Sequence, residues 1–395
     1  MRRRAGARRG PQAAPNGAAV TRILHVINTT EVGGGGEYLV QLTGGLRAHG
    51  LESAVVTGIT GPATARLEAQ GVPVTAIGAM RLGAVARLAA LLRQRRPDLL
   101  HLHGARSALA GTRAARGLAL RPVVYTAHAF MFNRRLASPL RWLAARGEAA
   151  ICRACDRVIC LTCGDRDEAA RRGVPTGNFV VVANGVDLER FASVPDRRAE
   201  FGFGPRVPVV GMIARFVPQK DPLTFVRIAA RVAERVPDAR FLLVGDGPLR
   251  AEVERAVRDA GLADRVRLPG FRRDVPGLLA TVDVAVFPSR WEGLPIALLE
   301  AMASSRAVVA SELPGHAEVI EHGVSGRLVP PGDAERFAAE VVALLAEPAR
   351  RAETGRAARA TVERRHGVDR MVRETLDVYR LAGLAAAPGE TPAGE

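Results

Sequence analysis

The sequence predicts an α/β protein built from two doubly wound, Rossmann-like domains that face each other across a cleft. Three observations carry this expectation. Short, continuously apolar runs alternate with helical patterns from Thr21 onward. The alternation breaks off in a polar stretch and then restarts. At 395 residues and 48% apolar composition, the chain is too long for one ordinary core and about right for two.

The first series reads RILHVIN, a helix over about 37–49, SAVVT, VPVTAI, DLLHLH, PVVYTA, RVICL and FVVVA. Runs this short and this rich in β-branched residues are strands covered on both faces, which implies a parallel sheet with helices on either side. Between NGVDLERF and PVVGMIA lies a more polar stretch with two glycines and two prolines, the expected linker at 191–208. The second series follows: PVVGMIA, a helix over 221–236, RFLLVG, a helix from Leu249, RVRLPG, VAVFP, a helix from about Pro295, AVVAS and GRLVP. The expected domains are 21–190 and 191–365, with a last amphipathic helix, 366–382, that packs back onto the first. Residues 1–20, rich in Arg, Gly, Ala and Pro, show no periodicity and are expected to be disordered.

No stretch reaches the roughly 18 apolar residues of a membrane-spanning helix, and no apolar segment follows the N-terminal arginines, so a cytoplasmic protein is expected. The net charge of +16 is uneven: residues 1–190 hold 27 Arg against 12 acids, and the rest of the chain is nearly balanced. A basic first half suits an anionic surface, a membrane face or a nucleic acid. With 4% aromatics and no nucleic-acid motif, the sequence argues against nucleic acid. Cys152, Cys155, Cys160 and Cys163 form C-x2-C-x4-C-x2-C, but the two pairs stand too close for a zinc ribbon, and a helix end and an apolar strand explain them as packing.

Of 56 basic residues, 55 are Arg and one is Lys220. A compact ammonium approaches phosphate oxygens where a planar guanidinium needs more room, so a lone lysine suggests that the ammonium itself is required. Lys220 follows the strand end that carries Arg215, and Asp221 with Pro222 opens the next helix. Two cations there would stabilise a diphosphate as a leaving group. The first strand runs into Gly33, Gly34, Gly35, Gly36 and Glu37, a loop whose backbone can approach a phosphate at a helix N-terminus. In SRWEGLPIALLEAMA, Glu292 and Glu300 frame a helix start, with Leu294 in a loop able to offer N–H groups. A carboxylate at Glu300 can accept both hydroxyls of a ribose, and Glu292 is placed to meet a sugar. The apolar neighbours Ile296, Leu298 and Leu299 imply that such a carboxylate needs a partner.

GGGGE, VVYTAHAF with His128, NGVDLERF, GMIARFVPQKD, FLLVGDGPL, LPGF, EGLPIALLE, ELPGHAEVI and SGRLVPPGD resemble, in the same order over 22–380, the family 4 retaining glycosyltransferases of the GT-B fold. The resemblance implies metal-independent retaining transfer of a hexose from a UDP-, GDP- or ADP-sugar, with no cofactor, to an acceptor on the first domain. It implies a lipid-linked or polysaccharide acceptor in cell-envelope or exopolysaccharide synthesis. Arg215, Lys220, Leu294 and the loop Gly34, Gly35 and Gly36 would hold the diphosphate. Glu300 would take the ribose, the backbone around Phe271 and Arg272 would flank the base, and His128 and Glu292 would act at the reaction centre. Glu318 would lie near the cleft. A sugar-nucleotide 2-epimerase shares this architecture and is the alternative reaction.

Asp165 and Asp167 form Asp-x-Asp, a cation motif elsewhere, but here they open a helix whose dipole favours acids. The stretch 129–155 combines Phe130, Phe132, Leu136, Leu140, Trp142 and Leu143 with Arg134, Arg135, Arg141, Arg146 and Arg153. Such a basic amphipathic segment with exposed aromatics is expected to meet an anionic membrane at the inner face of the plasma membrane.

Overall fold

The computed structural model describes residues 21–31, 33–81, 83–133 and 137–384; the tail 1–20 lies outside the described residues. The first sheet holds β1 (Arg22–Thr29), β2 (Glu52–Ile59), β3 (Val74–Ala76), β4 (Leu99–His103), β5 (Val123–Ala127), β6 (Arg157–Cys160) and β7 (Phe179–Val181), in the spatial order 3-2-1-4-5-6-7. Every pairing is parallel. Its crossovers are α1 (Gly34–Ala48), α2 (Pro62–Ala69), α3 (Ala84–Arg95), α4 (Ala105–Arg116), α5 (Ser138–Ala154) and α6 (Cys163–Arg171).

The second sheet repeats the plan with β8 (Val209–Ile213), β9 (Arg240–Val244), β10 (Val266–Arg267), β11 (Val284–Phe287), β12 (Ala307–Ser311) and β13 (Arg327–Val329), ordered 10-9-8-11-12-13 and again parallel. It is covered by α7 (Pro222–Arg235), α8 (Arg250–Asp259), α9 (Val275–Thr281), α10 (Ile296–Ala303), α11 (Pro314–Ala317), α12 (Ala334–Ala346) and α13 (Pro348–Arg365), and the chain ends in α14 (Val368–Leu381). Strand order reverses between β1 and β4 and between β8 and β11. Those switch points leave a crevice beyond the carboxyl ends of both sheets.

The strands form because both faces are apolar: all of β4, β5, β11 and β12 is buried. Helix α7 shows the complementary pattern. Asp221 caps it by accepting from Thr224 N–H at 3.3 Å, Pro222 pre-sets the first turn, and Phe225, Ile228 and Val232 line its buried face. Each of those side chains contributes about 1.5–3 kcal/mol by leaving water. The cap also fixes where Lys220, the preceding residue, leaves the loop.

Helix α14 crosses back to the first domain, where Met371, Val372, Leu376 and Tyr379 pack against Tyr38, Leu42 and Leu46 of α1. A Cβ added at Gly45 would stand 2.4 Å from Val372 Cγ2, so the two helices meet where α1 has no side chain. Gly45→Val is expected to lower stability by about 1–3 kcal/mol through overpacking. An unchanged urea midpoint would show that α14 docks elsewhere.

Candidate active site in the interdomain cleft

The crevice is a cleft of about 1010 Å³ walled by both domains, a volume suited to a small molecule. Gly33, Gly34, Gly35, Glu37, Arg66 and His128 come from the first domain. Arg215, Lys220, Phe271, Arg272, Glu292, Leu294 and Glu300 come from the second. Ten of the eleven residues expected to hold the donor or act at the reaction centre therefore meet in one cavity. Gly36 is the exception. It is buried in the first turn of α1, where an added Cβ would lie 2.9 Å from Ala63 Cβ, so α1 begins early and Gly33 takes its place at the cleft.

Beyond β8 the chain is pinned by backbone hydrogen bonds, Phe216 N–H to the Asp246 carbonyl at 2.8 Å and Arg290 N–H to the Gln219 carbonyl at 2.8 Å. That loop presents Arg215 as an exposed guanidinium, and among the described residues it has no ion-pair partner. Lys220 is held differently: its ammonium pairs with Glu292 Oε1. Glu292, with its side chain only 6% exposed, also accepts from Ser289 Oγ at 2.9 Å and Gln219 Nε2 at 3.0 Å. One of the three ammonium donors is thereby used, and two remain for a phosphate. Leu294 is anchored through its carbonyl, which accepts from Asn184 Nδ2. Arg272 turns its guanidinium to Asp274 and Glu200, so only its backbone is free to face a base.

Glu300 sits in the second turn of α10 and is 8% exposed, and among the described residues nothing donates to its carboxylate. Burial, reinforced by the like charge of Glu37, pushes its pKa up to about 8, while Arg190 and Arg66 pull it down. A buried carboxyl without a donor calls for a ligand with hydroxyls. His128 stands at the end of β5, edge-on to Tyr38 at 4.9 Å and stacked on His103 at 5.6 Å. Burial pushes its pKa down to about 4, which keeps the imidazole neutral, and its Nε2 has no partner among the described residues.

Several features differ from the sequence expectation or escaped it. Phe130 and Phe132 are core residues at 1% exposure and stack on each other at 4.9 Å, so they belong to no exposed aromatic surface. Arg134, Arg135 and Leu136 lie outside the described residues, whereas Leu140, Trp142 and Leu143 of α5 are more than half exposed. Asp165 is buried and accepts from Asn133, while Asp167 is exposed beside Arg166; the two carboxylates do not converge. Cys152, Cys155 and Cys160 are buried in the first core, where burial raises their thiol pKa values. Glu318 lies outside the cleft lining and accepts from Cys163 and Gly164 N–H at 3.0 and 2.6 Å, which ties the second domain to the start of α6.

Two clusters had no signal beyond their residue types. Glu37 pairs with Arg66 and with Arg190 beside Glu300. His25, His101 and His103 bring one ring nitrogen each within 4.8 Å of the others. Both nitrogens of His101 are engaged, with Tyr379 Oη and Thr126 Oγ1 at 2.7 Å, and His25 Nδ1 meets His103 Nε2 at 3.1 Å, which explains the trio as a hydrogen-bonded core.

Two parallel-sheet domains facing across such a cleft define a GT-B architecture. The fold matches that of Anabaena Alr3699/HepE in complex with UDP and glucose, with a TM-score of 0.80 and 24% identity over 91% of this chain and 99% of that one. Residues 32–190 match the family described as Glycosyltransferase Family 4, and residues 207–347 match Glycosyl transferases group 1. The D-inositol 3-phosphate glycosyltransferase of Nocardiopsis dassonvillei is 33% identical over 309 residues, 72% of this chain and 70% of that protein. The UDP-Gal:alpha-D-GlcNAc-diphosphoundecaprenol alpha-1,3-galactosyltransferase of Escherichia coli is 31% identical over 62% of this chain, which spans 66% of that relative. The chain spans 61% of the Streptomyces kanamyceticus alpha-D-kanosaminyltransferase, at 30% identity. The chain belongs to the family 4 glycosyltransferases.

Proposed function

We propose that this protein transfers a hexose, with retention, from a nucleoside diphosphate sugar to a hydroxyl of a lipid-linked or polysaccharide acceptor in cell-envelope or exopolysaccharide synthesis. The carrying observation is the Glu300 carboxylate, which no donor meets among the described residues, in the same cleft as Arg215 and Lys220, an arrangement that fits the ribose and the diphosphate of a sugar nucleotide. As the bond from the anomeric carbon to the diphosphate oxygen breaks, negative charge grows on the leaving group. Arg215 and the two unused Lys220 donors are placed to meet it. Glu292 aims Lys220 and, with both sites of Oε1 and one of Oε2 engaged, keeps one lone pair for a sugar hydroxyl. His128, neutral at physiological pH, is available to the sugar as a donor or an acceptor. No metal ion or cofactor has a part in this scheme.

Donor binding by thermal shift with UDP-, GDP-, ADP- and dTDP-sugars tests it, followed by analysis of the released nucleotide and sugar. A UDP-sugar is the first choice, because the HepE structure holds UDP and glucose. Glu300→Ala is expected to weaken the donor that binds by about 10–100-fold, in line with one lost bidentate contact to buried polar groups. Wild-type affinity in that variant would remove Glu300 from the site. A 2-epimerised donor appearing without acceptor would replace transfer by epimerisation.

Membrane contact is proposed through α5. Leu140, Trp142 and Leu143 face solvent beside Arg141 and Arg146, whose Cζ lies 4.8 Å from the Trp142 ring, and among the described residues no helix is long and apolar enough to span a bilayer. Pelleting with vesicles of phosphatidylglycerol is expected at low salt and lost in Trp142→Ser. Failure of the wild type to pellet would rule the contact out.

A further inference from the structure

Glu300 is a buried acid with no donor among the described residues, so the charged groups facing it decide whether it is ionised. Those groups come from across the cleft. Helix α1, which packs on α10, supplies Glu37; α2 supplies Arg66; and the segment leaving the first domain supplies Arg190. Glu37 accepts from Arg66 Nη1 and from Arg66 Nη2 at 3.2 Å, and from Arg190 Nη1 at 3.2 Å. Two guanidiniums therefore share one carboxylate, and the surplus positive charge is left beside Glu300. The arrangement is sequence-distant and crosses the domain boundary: none of its first-domain members exists on the Glu300 side of the cleft.

We propose that Arg66, Glu37 and Arg190, which line the same cleft, form an electrostatic clamp that sets the charge on Glu300, so that the ribose grip in the second domain is completed by the first. The inference rests on Glu300 being the ribose carboxylate. An ionised Glu300 accepts two ribose hydroxyls, and a protonated one gives up an acceptor.

The signs of the effects separate this role from a structural one. Burial and Glu37 raise the Glu300 pKa to about 8, and Arg190 with Arg66 oppose them. Removing Arg190 must raise the pKa further, and removing Glu37 must lower it. Glu300 titration is measured from the ¹³C-carboxyl spectrum of Glu-labelled protein, with Glu300→Gln identifying the resonance. Affinities for UDP-glucose and GDP-mannose, whose diphosphates do not titrate in this range, are measured in parallel from pH 6 to 9.5.

In the wild type, affinity is expected to rise up to about tenfold per pH unit below the Glu300 midpoint and to level off above it. The midpoint moves to higher pH in Arg190→Gln, to lower pH in Glu37→Gln, and returns in Arg190→Lys. A uniform loss at every pH with a fixed midpoint, or shifts in the same direction, would overturn the clamp. If Glu300→Gln binds both nucleotide sugars like the wild type, it is the ribose assignment that fails. The carboxyl titration still decides the clamp when neither nucleotide sugar binds.

Discussion

Lys220→Ala is expected to lower kcat/KM for the donor by about 100-fold or more, the scale of losing one preorganised donor to a developing oxyanion. Two losses combine. The leaving diphosphate loses a point charge, and Glu292, with its side chain 6% exposed, keeps among the described residues only Ser289 and Gln219 as donors. Breaking a buried ion pair leaves an uncompensated charge worth about 3–5 kcal/mol, but the Lys220 side chain is 22% exposed, so the stability loss should fall below that range. Lys220→Arg separates the two effects. A guanidinium can satisfy Glu292 through two of its donors, which should restore the melting temperature, yet its planar fork then lies along the carboxylate instead of turning a donor to phosphate. Stability recovered with donor affinity still lost is the expected pattern. Full recovery of both would show that only the charge matters and that the use of lysine here has no chemical cause.

What was legible in advance follows from the range of the interactions. The strands are local events: DLLHLH and PVVYTA are short, mostly apolar runs buried on both faces, as a parallel sheet covered by helices requires. Lys220 stood out by composition and Glu300 by an acid set among leucines, and both line the cleft. The bond between Lys220 and Glu292 spans 72 positions and joins a loop after β8 to a loop after β11, which no local pattern encodes. The same holds for Arg190 and Glu37, separated by 153 positions. Phe130 and Phe132 were misplaced because apolar residues beside arginines look the same whether they face solvent or α5, and only the tertiary fold buries them. Gly36 lies outside the cleft lining for a related reason: four identical glycines give no sign of where the helix begins, and the approach of Ala63 from α2 decides it.

Gly315→Ala should produce a second large effect, on catalysis more than on folding. In α11, a Cβ added at Gly315 would stand 1.7 Å from the Gly293 carbonyl oxygen, and one added at Gly293 would stand 2.6 Å from the His128 carbonyl oxygen. Three backbone segments thus lie in direct contact: α11, the loop of Glu292 and Leu294, and the end of β5. No side-chain rotation relieves the new methyl, so the loop must shift, and it carries Glu292 with its grip on Lys220. A misplacement of about 1 Å at reacting groups can cost about 100-fold in rate, and that is the expected fall in kcat. The overpacking itself should cost about 1–3 kcal/mol of stability. Gly332→Ala is the matched control. Its φ of +86° makes alanine strained, but among the described residues nothing stands within 4 Å of the added Cβ and it lies outside the cleft lining, so it should lose stability of similar size while keeping kcat. If Gly315→Ala retains wild-type kcat, or if Gly332→Ala loses as much, the loop is not set by this backbone contact.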